Sequence, residues 1–198
     1  MVAASLQGSS ASRPRPRRPA NTAVIGMALF VFTEVMLFAA FMSAFLITRN
    51  TAPPGMWPPE DQPRLPFAST AINTLALLAS GVLVAQAHFA ERRKGMKAAR
   101  VPLTAGVVLG ALFLVLQGAE WVSLLKQGLT LTSSQIGSFF YLIIGAHAIH
   151  VVCALALLVW CWTGLMAGRM PASRFGAAQL FWYFVVIVWP VLWLVVYR

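Results

Sequence analysis

The sequence is poor in charged residues, and acidic residues are especially scarce. Only 10% of its 198 residues carry a charge, with 5 Asp or Glu against 15 Lys or Arg. An ordinary soluble domain has roughly a quarter of its residues charged, whereas 59% of this chain is hydrophobic. This scarcity excludes an ordinary water-soluble globular protein and favours a chain whose solvent is lipid.

Cysteine is also scarce, and the two that are present carry no disulfide. Cys153 and Cys161 lie in one apolar block. If that block is helical, their spacing separates them by about 12 Å, which is beyond the reach of a disulfide. We interpret both as small apolar side chains without a redox role.

The net charge of +10 is the one feature of the composition that suggests nucleic acid, because basic patches neutralise phosphates. The placement of the charges argues against it. Lys and Arg lie in short segments between apolar blocks, which is the distribution that orients helices during membrane insertion. The sequence therefore predicts no nucleic-acid partner.

Long apolar blocks are the main feature of the sequence. A block of about 18 or more apolar residues is a candidate for a membrane-spanning helix. We predict an all-α membrane protein with five transmembrane helices, at approximately 23–48, 67–90, 101–125, 136–162 and 177–197. A proline-rich segment, 51–66, separates the first two helices because proline disrupts regular helix.

Residues 1–22 precede the first apolar block and are predicted to form a flexible basic tail. Prolines interleave with the arginines of the tail, and no acidic residue is present. The following block is long enough to remain as an anchor, unlike the short apolar core of a secretory signal. The arginines of the tail are Arg13, Arg15, Arg17 and Arg18.

The basic residues also predict the orientation of the five spans. Arg49, Arg64, Lys126 and Arg198 fall on one side of the membrane, and the other eleven of the 15 Lys and Arg fall on the opposite side. Basic connections stay in the cytoplasm. The amino terminus is therefore predicted to be cytoplasmic and the carboxyl terminus to lie on the opposite side.

Two acidic residues lie inside the predicted spans. Glu34 is about 21 Å from the outer end of the first helix, near the bilayer centre. A carboxylate there costs about 2.5 to 3.5 kcal/mol, so we expect Glu34 to be protonated or to have a partner, in either a structural or a functional role. Glu120 shares a helix face with Gln117, and we favour an interhelical hydrogen bond over proton handling for it.

Two histidines, His147 and His150, are three residues apart and share a face of the fourth helix. His150 lies at about the depth of Glu34, which predicts a pairing between them. Two ligands one turn apart cannot take opposite axial positions on one haem iron, and neither Glu34 nor Glu120 begins the Glu-x-x-His pair of a di-iron site. The sequence therefore predicts no metal site in this chain.

The second helix carries Asn73 together with Thr70 and Ser80 at near-helical spacing. Small and hydroxyl-bearing residues allow neighbouring helices to approach closely and to form hydrogen bonds. We interpret this face as a packing surface.

Four segments stand out in order along the chain: FTEVMLFAAFMSAF, STAINTLALLASG, QGAEW and SFFYLIIGAHAIHVVCALALL. Together they resemble the subunit III family of haem-copper respiratory oxidases. Their order and spacing cover nearly all of the predicted membrane region, so the combined match is specific although each segment alone is weak.

The resemblance depends on polar and small residues inside the spans. Glu34 corresponds to the buried acid of the family, whereas Tyr183 and Val186 stand where the family usually has His and Asp. The roles of those two family residues therefore do not carry over. The matching positions are Glu34, Asn73, Thr74, Ser80, Gln117, Glu120, Gly145, His147, His150 and Val151.

The resemblance implies a short, five-helix bacterial form in the inner membrane. It implies a subunit without haem or copper of its own, bound beside subunit II and the catalytic subunit I, which carries the haem and copper. The family holds phospholipid in a cleft, supports proton uptake and stable turnover, and is proposed to deliver oxygen. Residues implied in lipid or proton handling are Glu34, Glu120, His147, His150, Asn73 and Gln117.

Other functions remain open from the sequence. A subunit III-like protein associated with a nitric oxide reductase fits the departures at Tyr183 and Val186. A small independent proton-coupled transporter would use Glu34 and the histidines as a relay, although internal repeats are not evident. An intramembrane enzyme lacks an identifiable nucleophile and base. The electron donor and the electron acceptor are properties of other chains.

Overall fold

The computed structural model describes residues 22–52, 67–132, 135–169 and 172–197, except the side chains at 136 and 172. The described residues contain helices and turns but no strand, which confirms the predicted all-α class. The predicted basic tail lies outside them apart from Thr22, as does most of the proline-rich segment 51–66. The helices are α1 (Thr22–Thr51), α2 (Phe67–Lys94), a 3-10 helix (Met96–Ala99), α3 (Arg100–Lys126), α4 (Gln135–Met166) and α5 (Ala172–Val196).

The lengths of these helices suit a membrane. The shortest of the five α-helices has 25 residues and the longest has 32, so each is roughly 38 Å or longer at 1.5 Å per residue. The hydrocarbon core of a bilayer is about 30 Å thick. Five helices of the described chain are long and apolar enough to cross it, and the chain is a multi-pass membrane protein.

Several helices extend beyond the apolar blocks that predict them. α2 continues through the charged residues to Lys94, α4 continues to Met166, and α5 begins at Ala172 rather than at 177. Apolar blocks mark the residues that lie in hydrocarbon, whereas helical hydrogen bonding continues into the headgroup region. Gly95 then turns the chain between α2 and α3 with a φ of 82°, a left-handed conformation that glycine adopts without a steric penalty.

The four helices α2 to α5 form a closed bundle. α2 packs on α3, α3 on α4, α4 on α5, and α5 returns to α2. Trp182, Trp189, Phe113 and Phe140 are buried in the interior of the protein. α1 lies outside this ring, against α5 and to a smaller extent α4.

Many large apolar side chains point away from the bundle. Val101 is 79% exposed and Ile72 is 72% exposed, which in water would be unfavourable over so large a surface. In a bilayer such side chains are compatible with acyl chains. We call the outward surface of the helices the lipid-facing surface.

The bundle has one strongly basic end, which we define by seven residues. It is formed where α2 meets α3 and where α4 meets α5. The residues of the basic end are Arg92, Arg93, Lys94, Lys97, Arg100, Arg169 and Arg174.

Candidate functional site

A hydrogen-bonded pair links α1 to α4 in the middle of the membrane region. His150 Nε2 lies 2.9 Å from Glu34 Oε2, and the two side chains are each 15% exposed. This contact confirms the predicted pairing between the two residues. α1 packs mainly on α5 and to a smaller extent on α4. The Glu34 and His150 pair is one of the contacts between α1 and α4.

The second ring nitrogen of His150, Nδ1, also has a hydrogen-bond partner. Nδ1 is 2.7 Å from the carbonyl oxygen of Ala146, and a carbonyl can only accept a hydrogen bond, so Nδ1 carries a proton. Nε2 then accepts a proton from a neutral Glu34, or donates one to an ionised Glu34. Either way, one proton lies between Glu34 and His150.

Aromatic rings surround this pair. The ring centroids of Phe38, Phe181 and Phe184 lie 5.4, 6.1 and 6.1 Å from that of His150. These apolar rings exclude water and lower the local dielectric, which strengthens a hydrogen bond that is made and penalises an isolated charge. The aromatic surroundings therefore strengthen the hydrogen bond between Glu34 and His150.

His147 has different surroundings from His150. It is 1% exposed, and neither ring nitrogen has a hydrogen-bond partner among the described residues. Its ring stacks on Trp189 with a centroid distance of 5.1 Å and an interplanar angle of 26°. The two histidines therefore do not act as one pair of ligands, although they share a helix face.

A second polar cluster joins α2, α3 and the residue that follows α5. The Thr70 hydroxyl donates to Glu120 Oε2 at 2.9 Å, which confirms the predicted interhelical hydrogen bond. Gln117 Nε2 donates to the same oxygen at 3.0 Å, and Asn73 Nδ2 donates to Gln117 Oε1 at 3.1 Å. Tyr197 Oη lies 3.4 Å from Gln117 Nε2.

Tyr197 stays protonated beside this cluster. Burial raises the pKa of its hydroxyl above the usual range, and the nearby Glu120 carboxylate acts in the same direction. Two neutral side chains, Thr70 and Gln117, donate to Glu120, and the neutral phenol of Tyr197 lies beside Gln117. The cluster can hold a carboxylate through neutral donors.

The six residues predicted for lipid or proton handling thus fall into separate places. Glu34 and His150 form one site, and Asn73, Gln117 and Glu120 belong to the other. A cavity of about 150 Å³ lies between them in the fold, and His147 and Gln117 both line it.

Some contributors to these sites were not singled out from the sequence. Trp189 Nε1 donates to the Thr74 hydroxyl at 2.9 Å, and Tyr197 meets the Glu120 cluster from the end of α5. Val186, which stands where the family usually has Asp, is buried against Gly81. In the sequence, the one indication of the Thr70 contact with Glu120 is that Thr70 lies one turn from Asn73, on the same face of the second helix.

No group of three or more His, Cys, Asp or Glu residues in the described ranges is placed to hold a metal ion. The chemistry that the described polar groups offer is proton holding and hydrogen bonding between helices. The fold and these sites define a multi-pass helical membrane protein with an intramembrane carboxyl and imidazole pair.

Comparison with known proteins specifies the family. The family model described as cytochrome c oxidase subunit III matches residues 19–198, and this chain belongs to that family. A cytochrome c oxidase subunit 3 from Triticum aestivum is 36% identical over 180 residues, which cover 87% of this chain and 66% of the relative. The proteins of the same name from Artemia franciscana and Lumbricus terrestris are each 34% identical, over 87% of this chain and 67% and 68% of their own lengths. The chain spans about two thirds of the length of these curated relatives.

Proposed function

We propose that this chain is the non-catalytic subunit III of a haem-copper terminal oxidase in aerobic respiration. Family membership supports the proposal. In it, the chain binds beside subunit II and the catalytic subunit I, which carries the haem and copper, and stabilises that subunit. The membrane is the bacterial inner membrane, with the amino terminus in the cytoplasm, an orientation that the uneven distribution of basic residues supports.

The Glu34 and His150 contact carries the proton-related part of the proposal. Glu34 Oε2 and His150 Nε2 are 2.9 Å apart, and both side chains remain 15% exposed. Such a pair can take up and release a proton without a redox centre. Intramembrane ionisable residues mark proton pathways in many membrane proteins, so we assign the pair to the support of proton uptake by the catalytic subunit.

The lipid-facing surface supports the proposed holding of phospholipid. A groove of about 630 Å³ is lined by residues of α3 and α4, among them Trp121, Tyr141, Gly145 and Ile149. α1 also exposes apolar side chains, including Leu29 at 66% and Phe32 at 63%. Acyl chains would cover both surfaces. Oxygen is apolar and dissolves in the same lipid, which gives the proposed route for oxygen access.

Co-purification tests the proposal. The protein is tagged in its native host and extracted in mild detergent, and the recovered complex is examined by mass spectrometry and by its reduced-minus-oxidised spectrum. A large haem- and copper-bearing subunit recovered in stoichiometric amount supports the proposal. Recovery of the chain alone and colourless would overturn it in favour of an independent transporter. Oxygen and nitric oxide consumption by the same complex distinguish the two classes of reductase.

The proton role has its own test in the purified complex. Glu34→Gln removes the titratable group, and Thr33→Val is the matched control because Thr33 bonds only to the carbonyl of Phe30 within its own helix. We expect Glu34→Gln to slow proton uptake and to shorten the lifetime of turnover, with Thr33→Val unchanged. Equal behaviour of the two variants would contradict the proton role.

A further inference from the structure

The cavity of about 150 Å³ lies between α3 and α4, with Trp189 of α5 at its inner wall. We call it the His147 cavity. Much of its lining is apolar and fully buried, including Phe113, Ile144 and Val151. An engineered apolar cavity of about 150 Å³ in another protein is large enough to bind benzene. The His147 cavity therefore has room for one six-membered ring.

Two residues of this lining carry buried nitrogens without a hydrogen-bond partner in the described part of the chain. They are Nδ1 and Nε2 of His147 and Nε1 of Trp121. Trp189 differs, because its Nε1 donates to the Thr74 hydroxyl at 2.9 Å. A neutral imidazole has one donor and one acceptor nitrogen, and an indole has one donor. The cavity wall thus includes two unpaired N–H donors and one unpaired acceptor nitrogen.

The cavity reaches the lipid-facing surface between α3 and α4. Gly118 lines the cavity and is also exposed, and a Cβ at this position would meet no atom within 4 Å. The groove of about 630 Å³ on the lipid-facing surface shares Trp121 and Ala148 with the cavity. Little side-chain bulk closes the space on this side, because Ala148 has only a methyl group and Gly118 has none. A molecule dissolved in the bilayer can therefore enter from the side.

We propose that the His147 cavity binds an alkylated phenol, with the ring in the cavity and the alkyl chain in the adjoining groove. The phenol hydroxyl donates to the acceptor nitrogen of His147, and its oxygen accepts from Nε1 of Trp121. A phenol supplies this combination of one donor and one acceptor on an apolar ring. The site lies apart from the Glu34 and His150 pair, because neither residue lines the cavity.

Other occupants match only half of the site. A hydrocarbon chain or ring would fill the volume but leave the nitrogens of His147 and Trp121 unpaired. Water would pair with these nitrogens but leave the apolar wall at Phe113, Ile144 and Val151 without a contact. A phenol satisfies both parts, so its binding offsets the unfavourable burial of unpaired polar groups in the free chain.

Two ligands that differ by one oxygen atom test the proposal on the full-length chain. The purified protein in nonionic detergent is titrated with 4-butylphenol or with butylbenzene, and thermal unfolding is followed by circular dichroism. A ligand that binds the folded protein raises the unfolding temperature in proportion to its occupancy, which gives the affinity. We expect 4-butylphenol to bind about tenfold more tightly than butylbenzene, since it makes two additional hydrogen bonds.

Removal of the imidazole separates ligand binding from stability. His147→Phe keeps a ring on Trp189 and removes the unpaired nitrogens, so 4-butylphenol should bind this variant roughly tenfold more weakly and no better than butylbenzene. The unfolding temperature without ligand should not fall. His88→Phe is the matched control, because it removes an imidazole of α2 that does not line the cavity. It should keep the preference for 4-butylphenol.

Added bulk at the entrance locates the site. Ala148→Phe narrows the passage between the groove and the cavity, so neither ligand should raise the unfolding temperature of this variant. It also reports any effect of ligand that is dissolved in the micelle. Ala156→Phe adds the same bulk at an exposed position of α4 that lines neither the cavity nor the groove, and it should bind both ligands as the unaltered protein does.

Several outcomes would overturn the proposal. These are equal affinity of the unaltered protein for the two ligands, no stabilisation by either, and a preference for 4-butylphenol that persists in His147→Phe. Full binding to Ala148→Phe would place the ligand elsewhere and overturn it as well. If His147→Phe does not fold, the two ligands compared on the unaltered protein and on Ala148→Phe still decide. Failure to recover oxidase subunits would leave this result unaffected.

Discussion

Hydrogen bonding at single residues separates the two histidines of α4. His150 has a partner at each ring nitrogen, whereas His147 has none in the described chain. A buried polar group without a partner costs about 1 to 3 kcal/mol, and a satisfied one contributes modestly to stability. Two residues of the same type, one helical turn apart, therefore affect stability in opposite directions.

Replacing each histidine by Phe tests this difference. His147→Phe keeps a ring on Trp189 and removes two unpartnered nitrogens, so we expect the free energy of unfolding to stay constant or to rise by about 1 kcal/mol. His150→Phe leaves Glu34 without its partner and should lower it by about 1 to 3 kcal/mol. Denaturation in detergent micelles measures both. A larger loss in His147→Phe than in His150→Phe would contradict the assignment.

The carboxyl side of the pair gives a second prediction. Glu34→Gln keeps a donor that can reach Nε2 of His150, so stability should fall by less than about 1 kcal/mol, whereas Glu34→Leu should cost about 1 to 3 kcal/mol. Denaturation in micelles again provides the measurement. Equal losses in the two variants would show that the hydrogen bond contributes nothing.

Among the helices, α3 depends most clearly on small residues. A Cβ at Gly110 would lie 2.7 Å from the Trp182 ring, and one at Gly106 would lie 2.9 Å from Val84. The absence of a side chain at these positions lets α3 approach α5 and α2. The Thr70, Gln117 and Glu120 hydrogen bonds then join α2 and α3 near the opposite end from Arg100.

Alanine substitutions in α3 test this packing. Gly110→Ala forces a methyl group against a rigid, fully buried indole and should destabilise the protein by about 1 to 3 kcal/mol. Gly118 lies on the same helix, and a methyl group there would meet no atom within 4 Å, so Gly118→Ala should be neutral or stabilising by up to about 1 kcal/mol. Thermal unfolding followed by circular dichroism compares the two. Equal shifts in both variants would contradict the close approach at Gly110.

At the scale of the whole molecule, α2 to α5 close into a ring and α1 is attached from outside. α1 has only Phe38 and Phe45 buried among its residues. Its attachment depends on these two rings, on contacts with α5 and on the Glu34 and His150 pair. Among the five described α-helices, α1 therefore buries the smallest share of its residues inside the protein.

The orientation of the whole molecule leads to a labelling prediction. Lys97 lies at the basic end and Gln127 follows α3 at the other end, and both are exposed. In a Cys153→Ser background, Lys97→Cys should react with a membrane-impermeant maleimide only from the cytoplasmic side, and Gln127→Cys only from the opposite side. Intact and inverted membrane vesicles provide the two sides. Reversed labelling would overturn the predicted topology.

Much of the fold follows from the sequence because each apolar block must cross the same thickness of hydrocarbon. The number of spans and the all-α class follow from block length alone. Depth along a helix also predicted the pairing of Glu34 with His150, since both are at a similar distance from the outer end. The Thr70 partner of Glu120 was not predicted, because several polar groups share that depth.

The sequence by itself determined the five spans, the family and the depth of each polar residue, since these depend on position along the chain. Only the tertiary structure decided which helices are neighbours and that His147 lacks a partner among the described residues. Depth gives the position of a side chain along the membrane normal. Its position in the membrane plane depends on side-chain packing between helices, and that packing joins residues as far apart in sequence as Glu34 and His150.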